Sequence, residues 1–245
     1  YDMEKSGFKI DANELDALKK EYEEKIEQTK NQLYQMAGEK FNLNSPMQIA
    51  NILFDKLGIK CPGKKRSTSI EVLNEILGEH PIVQTLIDYR RYFKMYSTYI
   101  MPYKEILERK GEIINTVFNQ TLTATGRLSS SDPNLQNIPI RDEDGKNIRK
   151  IFISRFSDGV IMSADYNQIE LRLLANFSED KNMIGAFVNN IDIHTKTASE
   201  IFGVPPLLVT SQMRRDAKSV NFGIVYGISD FGLAKGLGIP IANAK

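Results

Sequence analysis

Two stretches of the sequence carry residue types that could hold metal ions or phosphates. In residues 160–177, an apolar run meets the carboxylate of Asp165, and a helical pattern with Glu170 near its start follows. This pattern predicts a strand, residues 160–164, that ends in an acid and turns directly into a helix. A carboxylate fixed at the edge of a rigid element is well placed to position a metal ion or a phosphate.

The same residues also fit ordinary helix capping. Asp165 with Gln168, or Asn167 with Glu170, has the spacing of a capping box, in which side chains bind the amides of the first helical turn. Taken alone, this stretch favours capping over chemistry, and the rest of the sequence has to decide between the two interpretations.

The second stretch is a predicted helix over residues 212–225. Three residues of this helix and the residue directly after it step by four and form a stripe about 18 Å long at 1.5 Å per residue: Arg214, Lys218, Phe222 and Tyr226. The stripe is positive at one end and aromatic at the other, which matches the phosphates and the base of a nucleoside triphosphate. A solvated basic stripe with aromatic residues in the core is the alternative. The residues predicted to be buried are Met213, Ala217, Val220 and Ile224.

A polar segment over residues 121–139 is rich in hydroxyls and amides and contains one arginine, Arg127. Such a segment is usually an ordinary surface loop, but hydrogen-bonding groups beside a cation also suit an extended ligand such as a nucleic acid. His194 follows a predicted helix cap, Asp192. A lone histidine there is more typical of a surface or capping residue than of a ligand.

Helices and short strands must position these groups. A long helix with one apolar stripe, suited to an antiparallel helix pair, is predicted after a capping box of Asp11 and Glu14. Further helix starts are predicted at Thr68 and at Pro81.

The strands are predicted later in the chain, at residues 113–118 and 150–153, with the second paired to residues 160–164. Between the first helices, the loop over residues 60–67 carries four positive charges, which could grip a phosphate backbone or lie solvated.

The composition excludes several classes of protein. The 245 residues carry a net charge of +1, so any basic surface for nucleic acid has to be local. The single cysteine, Cys61, excludes a disulfide framework within the chain and suits a reducing compartment. No apolar run approaches the ~18–20 residues of a membrane span. Tyr1 and Lys245 both look like cut ends, so we expect these residues to be a piece of a longer protein.

Three segments together resemble family A DNA polymerases, of the bacterial DNA polymerase I type. They are TATGRLSSSDPNLQNIPIR at 123–141, SADYNQIELR at 163–172 and RRDAKSVNFGIVYG at 214–227. The resemblance covers the whole chain and implies an α+β fold, an incomplete right-hand polymerase. It assigns residues 1–108 to a helical thumb, 109–186 to part of an antiparallel palm sheet with the first metal-binding motif, and 187–245 to the start of helical fingers.

The resemblance implies that deoxynucleotides are added to a primer 3′-hydroxyl with the help of two Mg²⁺ ions. It makes Asp165, with the backbone carbonyl of Tyr166, a metal ligand, and Lys218 the general acid for the pyrophosphate. In this reading Glu170 excludes a ribose 2′-hydroxyl. The residues it places at the incoming nucleotide are Gln168, Glu170, His194, Arg214, Lys218, Phe222 and Tyr226.

Contacts with primer–template DNA are implied as well. The resemblance places Arg127 in the minor groove at the primer end, where one donor can test base-pair geometry without reading sequence. It places Asn134, Gln136 and Asn137 along primer and template. The partners that it implies are primer–template DNA and deoxynucleoside triphosphates, for a cytoplasmic monomer without a membrane association.

One departure from the family limits this interpretation. The family carries a second metal-binding aspartate in a His-Asp-Glu motif, and no such motif occurs in residues 1–245. We therefore expect that the chain alone does not extend a primer. The alternative function is a non-catalytic module that binds primer–template or nucleotide, and a helical scaffold without a nucleic-acid role is a third.

Overall fold

The computed structural model describes residues 1–63, 65–140, 142–237 and 239–245. These residues form two compact units, Tyr1–Met162 and Ser163–Lys245. Lys64 of the predicted basic loop and Arg141, the last residue of the first polymerase-like segment, lie outside the described residues. None of the described helices combines the length and the apolar character needed to cross a lipid bilayer.

The first unit is built mainly of helices, with short strands between them. Its helices are α1 (Asp2–Ser6), α2 (Ala12–Ala37), α3 (Pro46–Ala50), α4 (Ile70–Glu75), α5 (Pro81–Met95), α6 (Met101–Lys110) and α7 (Glu143–Lys150). π-helical turns, Asn51–Lys56 and Tyr96–Ile100, extend α3 and join α5 to α6. Its strands are β1 (Phe8–Ile10), β2 (Ile113–Ile114), β3 (Val117–Asn119), β4 (Ser129–Ser131) and β5 (Phe152–Ile153).

The long helix α2 is the centre of the first unit. Its N-cap, Asp11, accepts hydrogen bonds from the amides of Asn13 and Glu14, as the capping box predicts. The apolar stripe is buried at Leu15, Leu18, Tyr22 and Leu33.

The predicted antiparallel partner of α2 is the continuous helical segment from α5 to α6. Asp16 near the start of α2 binds Lys104 in α6 at 2.5 Å. Further along α2, the ring of Tyr22 packs edge-on against Tyr92 of α5, with ring centres 6.0 Å apart. The contact partners have falling residue numbers as the residue numbers in α2 rise, so the two helical segments run antiparallel. The predicted antiparallel helix pair is confirmed.

The strands of the first unit form two small antiparallel sheets. β1 lies between β2 and β5, and β3 pairs with β4. The predicted pairing of residues 150–153 with 160–164 is wrong, because β1 is the partner of β5 and residues 160–164 form no strand. Val160 and Met162 are both 86% exposed. An apolar segment needs a neighbouring strand and a covering layer to become part of a sheet, and the described residues provide neither here.

The predicted helix cap at Thr68 is also wrong. Ser69 is the N-cap residue of α4. Thr68 is 5% exposed, and both its carbonyl and its hydroxyl oxygen accept hydrogen bonds from the guanidinium of Arg90. The threonine is therefore an anchor for α5 rather than the start of α4.

The second unit is helical. Its α-helices are α8 (Ile169–Ser178), α9 (Lys181–Val188), α10 (Ile193–Phe202), α11 (Ser211–Val225), α12 (Asp230–Leu237) and α13 (Ile241–Ala244), and a 3₁₀ turn, Pro206–Leu208, precedes α11. Asp192 is the N-cap of α10 and accepts from the Thr195 amide at 2.8 Å, as predicted. Helices with small antiparallel sheets confirm the predicted α+β class.

Candidate active site

A cavity of about 420 Å³ lies within the second unit. It is bordered by the residues around the start of α8, by α10 and by α11. Its lining residues are Asp165, Tyr166, Asn167, Gln168, Ile169, Glu170, His194, Arg214, Lys218 and Phe222. The structure thus brings together the metal and nucleotide residues predicted from the sequence, and Tyr226 joins them through a bond to Glu170. Their roles stay a prediction.

The start of α8 does not use the Asp165 carboxylate as a cap. The N-cap residue of α8 is Gln168, which has a φ of 53° and makes no side-chain cap hydrogen bond. Both predicted capping boxes are therefore wrong. Residues with a β-carbon rarely adopt this left-handed backbone conformation, and such conformations are concentrated at functional sites. Asp165 is exposed and lines the cavity.

Helix α11 presents its basic and aromatic residues on one side. The Nζ atom of Lys218 lies 5.7 Å from the centre of the Phe222 ring. The rings of Phe222 and Tyr226 are stacked, with centres 6.3 Å apart. Steps of four residues place these side chains one turn apart on the helix. The stripe is therefore cationic towards the start of α11 and aromatic towards its end, as the sequence predicts.

The other side of α11 is less buried than predicted. Ala217 is 0% exposed, but Ile224 is 66% exposed. The apolar core of this unit is small and centres on Leu171, Ala186 and Ile193, so it does not extend along the whole helix. The predicted burial of Ile224 is wrong for this reason.

Arg214 and Asp192 form an ion pair at the side of the cavity. An Nη atom of Arg214 lies 2.5 Å from a carboxylate oxygen of Asp192. Burial raises the pKa of Asp192, but hydrogen bonds from Arg214 and from the Thr195 amide lower it more, so the pKa lies below its ordinary value. One carboxylate thus caps α10 and holds the first cation of the α11 stripe.

His194 is buried, with 2% of its surface exposed. Burial lowers the pKa of its ring, the nearby cations Arg214 and Lys218 lower it further, and Asp192 raises it only in part. The ring centre lies 5.8 Å from that of Phe222. A buried side chain that lines the cavity is not the surface or capping residue that the sequence alone favours, and Asp192 is the cap.

We expect His194 to titrate below the ordinary histidine pKa of about 6.5. The folded state disfavours the charged ring, so the unfolded chain binds more protons between the two pKa values. The contribution of His194 to stability is therefore complete above the unfolded pKa and decreases as pH falls towards the folded pKa. NMR titration of the two histidine rings, His80 and His194, measures the midpoints. A His194 midpoint above that of the unfolded chain would contradict the prediction.

A hydrogen bond connects α8 to the end of α11. The hydroxyl of Tyr226 donates to Oε2 of Glu170 at 2.6 Å. This hydrogen bond lies at the aromatic end of the stripe, where Phe222 stacks on Tyr226. This bond fixes the position of the Glu170 carboxylate at the cavity wall.

The polar segment of the first unit is held by hydrogen bonds from neighbouring elements. The buried hydroxyl of Ser130 donates to the side chain of Asn134 at 2.9 Å and accepts from the amides of Leu135 and Gln136. The Tyr99 hydroxyl donates to the carbonyl of Asn137 at 2.7 Å. The segment is therefore an anchored loop.

Four predicted DNA-binding residues lie on this loop and its approach. Arg127 follows a turn in which Gly126 has a φ of 75°, and the Thr123 hydroxyl donates to the Arg127 carbonyl. The residues of this group are exposed: Arg127, Asn134, Gln136 and Asn137. An exposed polar surface on a fixed backbone can contact a nucleic acid.

The carboxylate oxygens of the cavity suit a cation such as Mg²⁺ that is also bound by oxygen atoms of a substrate. Within the described ranges, no three His, Cys, Asp or Glu side chains lie close enough together to hold a metal. The carboxylates of the cavity are Asp165 and Glu170. Mg²⁺ usually takes one or two carboxylates and completes its shell with phosphate oxygens and water. The residues present therefore fit Mg²⁺ as a partial ligand set.

The sequence interpretation missed one residue of this neighbourhood, Asn221. Its side chain lies between His194 and Thr197 of α10. Asn221 is three residues after Lys218 and one before Phe222, so helical spacing could have placed it near the cavity.

A carboxylate, two cations and a stacked aromatic pair thus lie around one cavity of this α+β protein. The sequence profile of DNA polymerase family A matches residues 12–245. The chain belongs to DNA polymerase family A.

Curated relatives agree with this family. DNA polymerase I of Caldicellulosiruptor bescii is 51% identical over 247 residues, which cover 100% of this chain and 29% of the relative. DNA polymerase I of Bacillus subtilis is 48% identical over 246 residues, which cover 99% of this chain and 28% of the relative. The chain thus spans less than a third of the length of these relatives.

A solved structure is also similar. It is the POL domain of Pol1 from M. smegmatis, in complex with DNA primer–template and dNTP. The TM-score is 0.88 at 37% sequence identity, and the match covers 99% of this chain and 43% of that one.

Proposed function

We propose that these residues form the nucleotide-binding part of a DNA polymerase active site that adds deoxynucleotides to a primer 3′-hydroxyl. The observation that carries the proposal is the cavity of the second unit, where the carboxylate of Asp165 and the cations Arg214 and Lys218 share one space. The primer–template and dNTP bound to the similar Pol1 domain support the same partners.

In this proposal Asp165 and the backbone carbonyl of Tyr166 hold Mg²⁺. Two such ions, when bound, would activate the primer hydroxyl and stabilise the charge of the leaving pyrophosphate. Asp165 is suited to this role because its carboxylate lines the cavity and α8 does not use it as a cap.

The phosphates of the incoming nucleotide contact Arg214, Lys218 and His194. Lys218 lies next to Arg214 on the helix, one turn further on, so the two cations can bind successive phosphates. Lys218 also donates a proton to the leaving pyrophosphate in this proposal. A neutral His194 can donate one hydrogen bond to a phosphate oxygen.

The sugar and base of the nucleotide lie towards the aromatic end of the stripe. Phe222 and Tyr226 present stacked rings there. Glu170, held by Tyr226, occupies the space that a ribose 2′-hydroxyl would need and so favours deoxynucleotides. Gln168 lines the same cavity and binds the nucleotide from the start of α8.

The first unit contacts primer and template through Arg127, Asn134, Gln136 and Asn137. We assign residues 1–108 to the thumb, 109–186 to part of the palm and 187–245 to the start of the fingers. The protein acts as a cytoplasmic monomer in this proposal. The expectation that the chain alone does not extend a primer also stays a prediction.

The second candidate function is a module that binds nucleotide and primer–template without catalysis. The observation in its favour is the partial metal-ligand set, since no cluster of three potential ligand side chains occurs in the described part of the chain. Both candidates require the cavity to bind a deoxynucleoside triphosphate.

Nucleotide binding by the 245-residue chain tests the shared requirement. We expect Lys218→Met to weaken the binding of deoxyadenosine triphosphate with Mg²⁺ by about tenfold to a hundredfold, because a hydrogen bond to a charged group is lost. Calorimetric titration measures the Kd. Lys181→Met, at an exposed position of α9, is the matched control and leaves the Kd unchanged. An unchanged Kd in Lys218→Met would contradict the proposal.

A further inference from the structure

The side chain of Asn221 connects α11 to His194. Its Nδ2 atom lies 3.0 Å from Nδ1 of His194. The same amide group is bonded to the hydroxyl of Thr197, with both Oδ1 and Nδ2 at 3.1 Å from Oγ1. His194 and Thr197 lie one turn apart on α10, so Asn221 contacts two residues on the same face of that helix.

We propose that Asn221 is a positioning residue that sets which nitrogen of His194 carries the proton. The Asn221 amide donates to Nδ1, which must then be unprotonated, so the neutral ring carries its proton on Nε2. Within the described residues Nε2 has no hydrogen-bond partner in the protein, and the ring lines the cavity. The Nε2–H group is therefore the donor that His194 offers to a ligand.

The position of this proton decides whether His194 attracts or repels an anion. A neutral imidazole has one N–H donor and one acceptor nitrogen. A phosphate oxygen is an acceptor, so it binds Nε2–H and is repelled by an unprotonated Nε2. Burial and the neighbouring cations lower the pKa of the ring, which favours its neutral form, and in that form the choice of tautomer matters. This step rests on the proposed function, in which His194 contacts phosphate.

Thr197 anchors the amide of Asn221 beside the histidine ring. Its hydroxyl lies 3.1 Å from both Oδ1 and Nδ2 of Asn221, so it can donate to one or accept from the other, and Nδ2 is the amide atom that lies 3.0 Å from Nδ1 of His194. The partner of one ring nitrogen commonly fixes the tautomer and the orientation of a functional histidine. Here an uncharged partner does so without adding negative charge beside the phosphates.

Because the chain contains few histidines, NMR can show directly which ring nitrogen of His194 carries the proton. The sequence contains two histidines, His80 and His194. Nδ1 of His80 accepts a hydrogen bond from the Ile82 amide at 3.1 Å, so His80 is an internal reference for the Nε2–H form. Long-range ¹⁵N–¹H correlation spectra at about pH 8, above the ordinary histidine pKa, should show both rings in that form. A wild-type His194 with its proton on Nδ1 would overturn the proposal.

Substitution of Asn221 by an acceptor should move the proton. In Asn221→Asp the carboxylate can only accept, so Nδ1 of His194 is expected to become protonated while the His80 signals stay unchanged. A His194 ring that keeps an unprotonated Nδ1 in this variant would contradict the role of Asn221.

The affinity for deoxyadenosine triphosphate tests the consequence. We expect Asn221→Leu to raise the Kd about fivefold, the equivalent of one hydrogen bond, and to have no further effect in a His194→Gln background. Asn176→Leu, at an exposed position of α8, is the control. An equal effect of Asn221→Leu in both backgrounds would show a general structural role and overturn the proposal. If the proton moves as expected but no His194 or Asn221 variant changes the Kd, the proton assignment stands and the proposed phosphate contact fails.

Discussion

Asp165→Asn, in a polymerase that carries these residues, is expected to reduce the rate of nucleotide incorporation about a thousandfold. Rates fall by about this factor when an enzyme loses a group that stabilises transition-state charge. The amide keeps the shape of the carboxylate but carries no charge, so it binds Mg²⁺ far more weakly. Asp165 lines the cavity and is not the cap of α8, so the substitution leaves the helix start unchanged.

Single-turnover incorporation with saturating primer–template and nucleotide measures this effect. Asp158→Asn makes the same chemical change at an exposed loop position outside the cavity and is expected to leave the rate unchanged. Primer–template affinity should remain within about twofold, because the proposed DNA contacts lie on other residues. A normal rate of incorporation in the Asp165→Asn enzyme would contradict the assignment of Asp165 as a metal ligand.

Asp144→Ala is expected to destabilise the first unit by about 2–3 kcal/mol. The Asp144 side chain is 9% exposed and binds Nε of Arg91 at 2.9 Å. It also accepts a hydrogen bond from the hydroxyl of Tyr22, a residue that is 0% exposed. The substitution leaves this buried hydroxyl without its partner. Arg91 contributes less to the loss, because its side chain is 44% exposed and keeps a salt bridge to Asp88.

Thermal unfolding of the chain measures this loss, and we expect the Tm of the first unit to fall by about 5–10 °C. Glu143→Ala, one residue away at a side chain that is 79% exposed, is the control and changes the Tm little. The double variant Tyr22→Phe with Asp144→Ala should be more stable than Asp144→Ala alone, because it lacks the buried Tyr22 hydroxyl that the single substitution leaves unpaired. Strict additivity of the two substitutions would contradict this explanation.

The helices and the residues of the cavity could be predicted because both follow from local spacing. Asp11 caps α2 and Asp192 caps α10 through bonds to amides within three residues, which a sequence pattern reveals directly. The stripe from Arg214 to Tyr226 depends only on the helical repeat. The resemblance to a family then joined this stripe to Asp165, which no local pattern does.

The errors arose where distant residues decide the outcome. β1 pairs with strands more than a hundred residues away, and this pairing replaced the predicted hairpin of residues 150–153 with 160–164. The predicted cap at Thr68 is wrong because Thr68 binds Arg90, a partner 22 residues away that no local pattern reveals. Helical spacing places Asn221 near the cavity, but its hydrogen bonds to α10 depend on the packing of two helices and cannot be predicted from spacing.

If Arg214 binds a phosphate, as proposed, its ion pair with Asp192 has a consequence for ligand discrimination. A phosphate that approaches Arg214 has to compete with a carboxylate that is already 2.5 Å from it. A singly phosphorylated compound gains little from this exchange of one anion for another. A triphosphate brings more negative charge and reaches Lys218 as well, so its gain exceeds the loss of the pair. Under the proposed function, we therefore expect the pair to favour the binding of long polyphosphate chains over short ones.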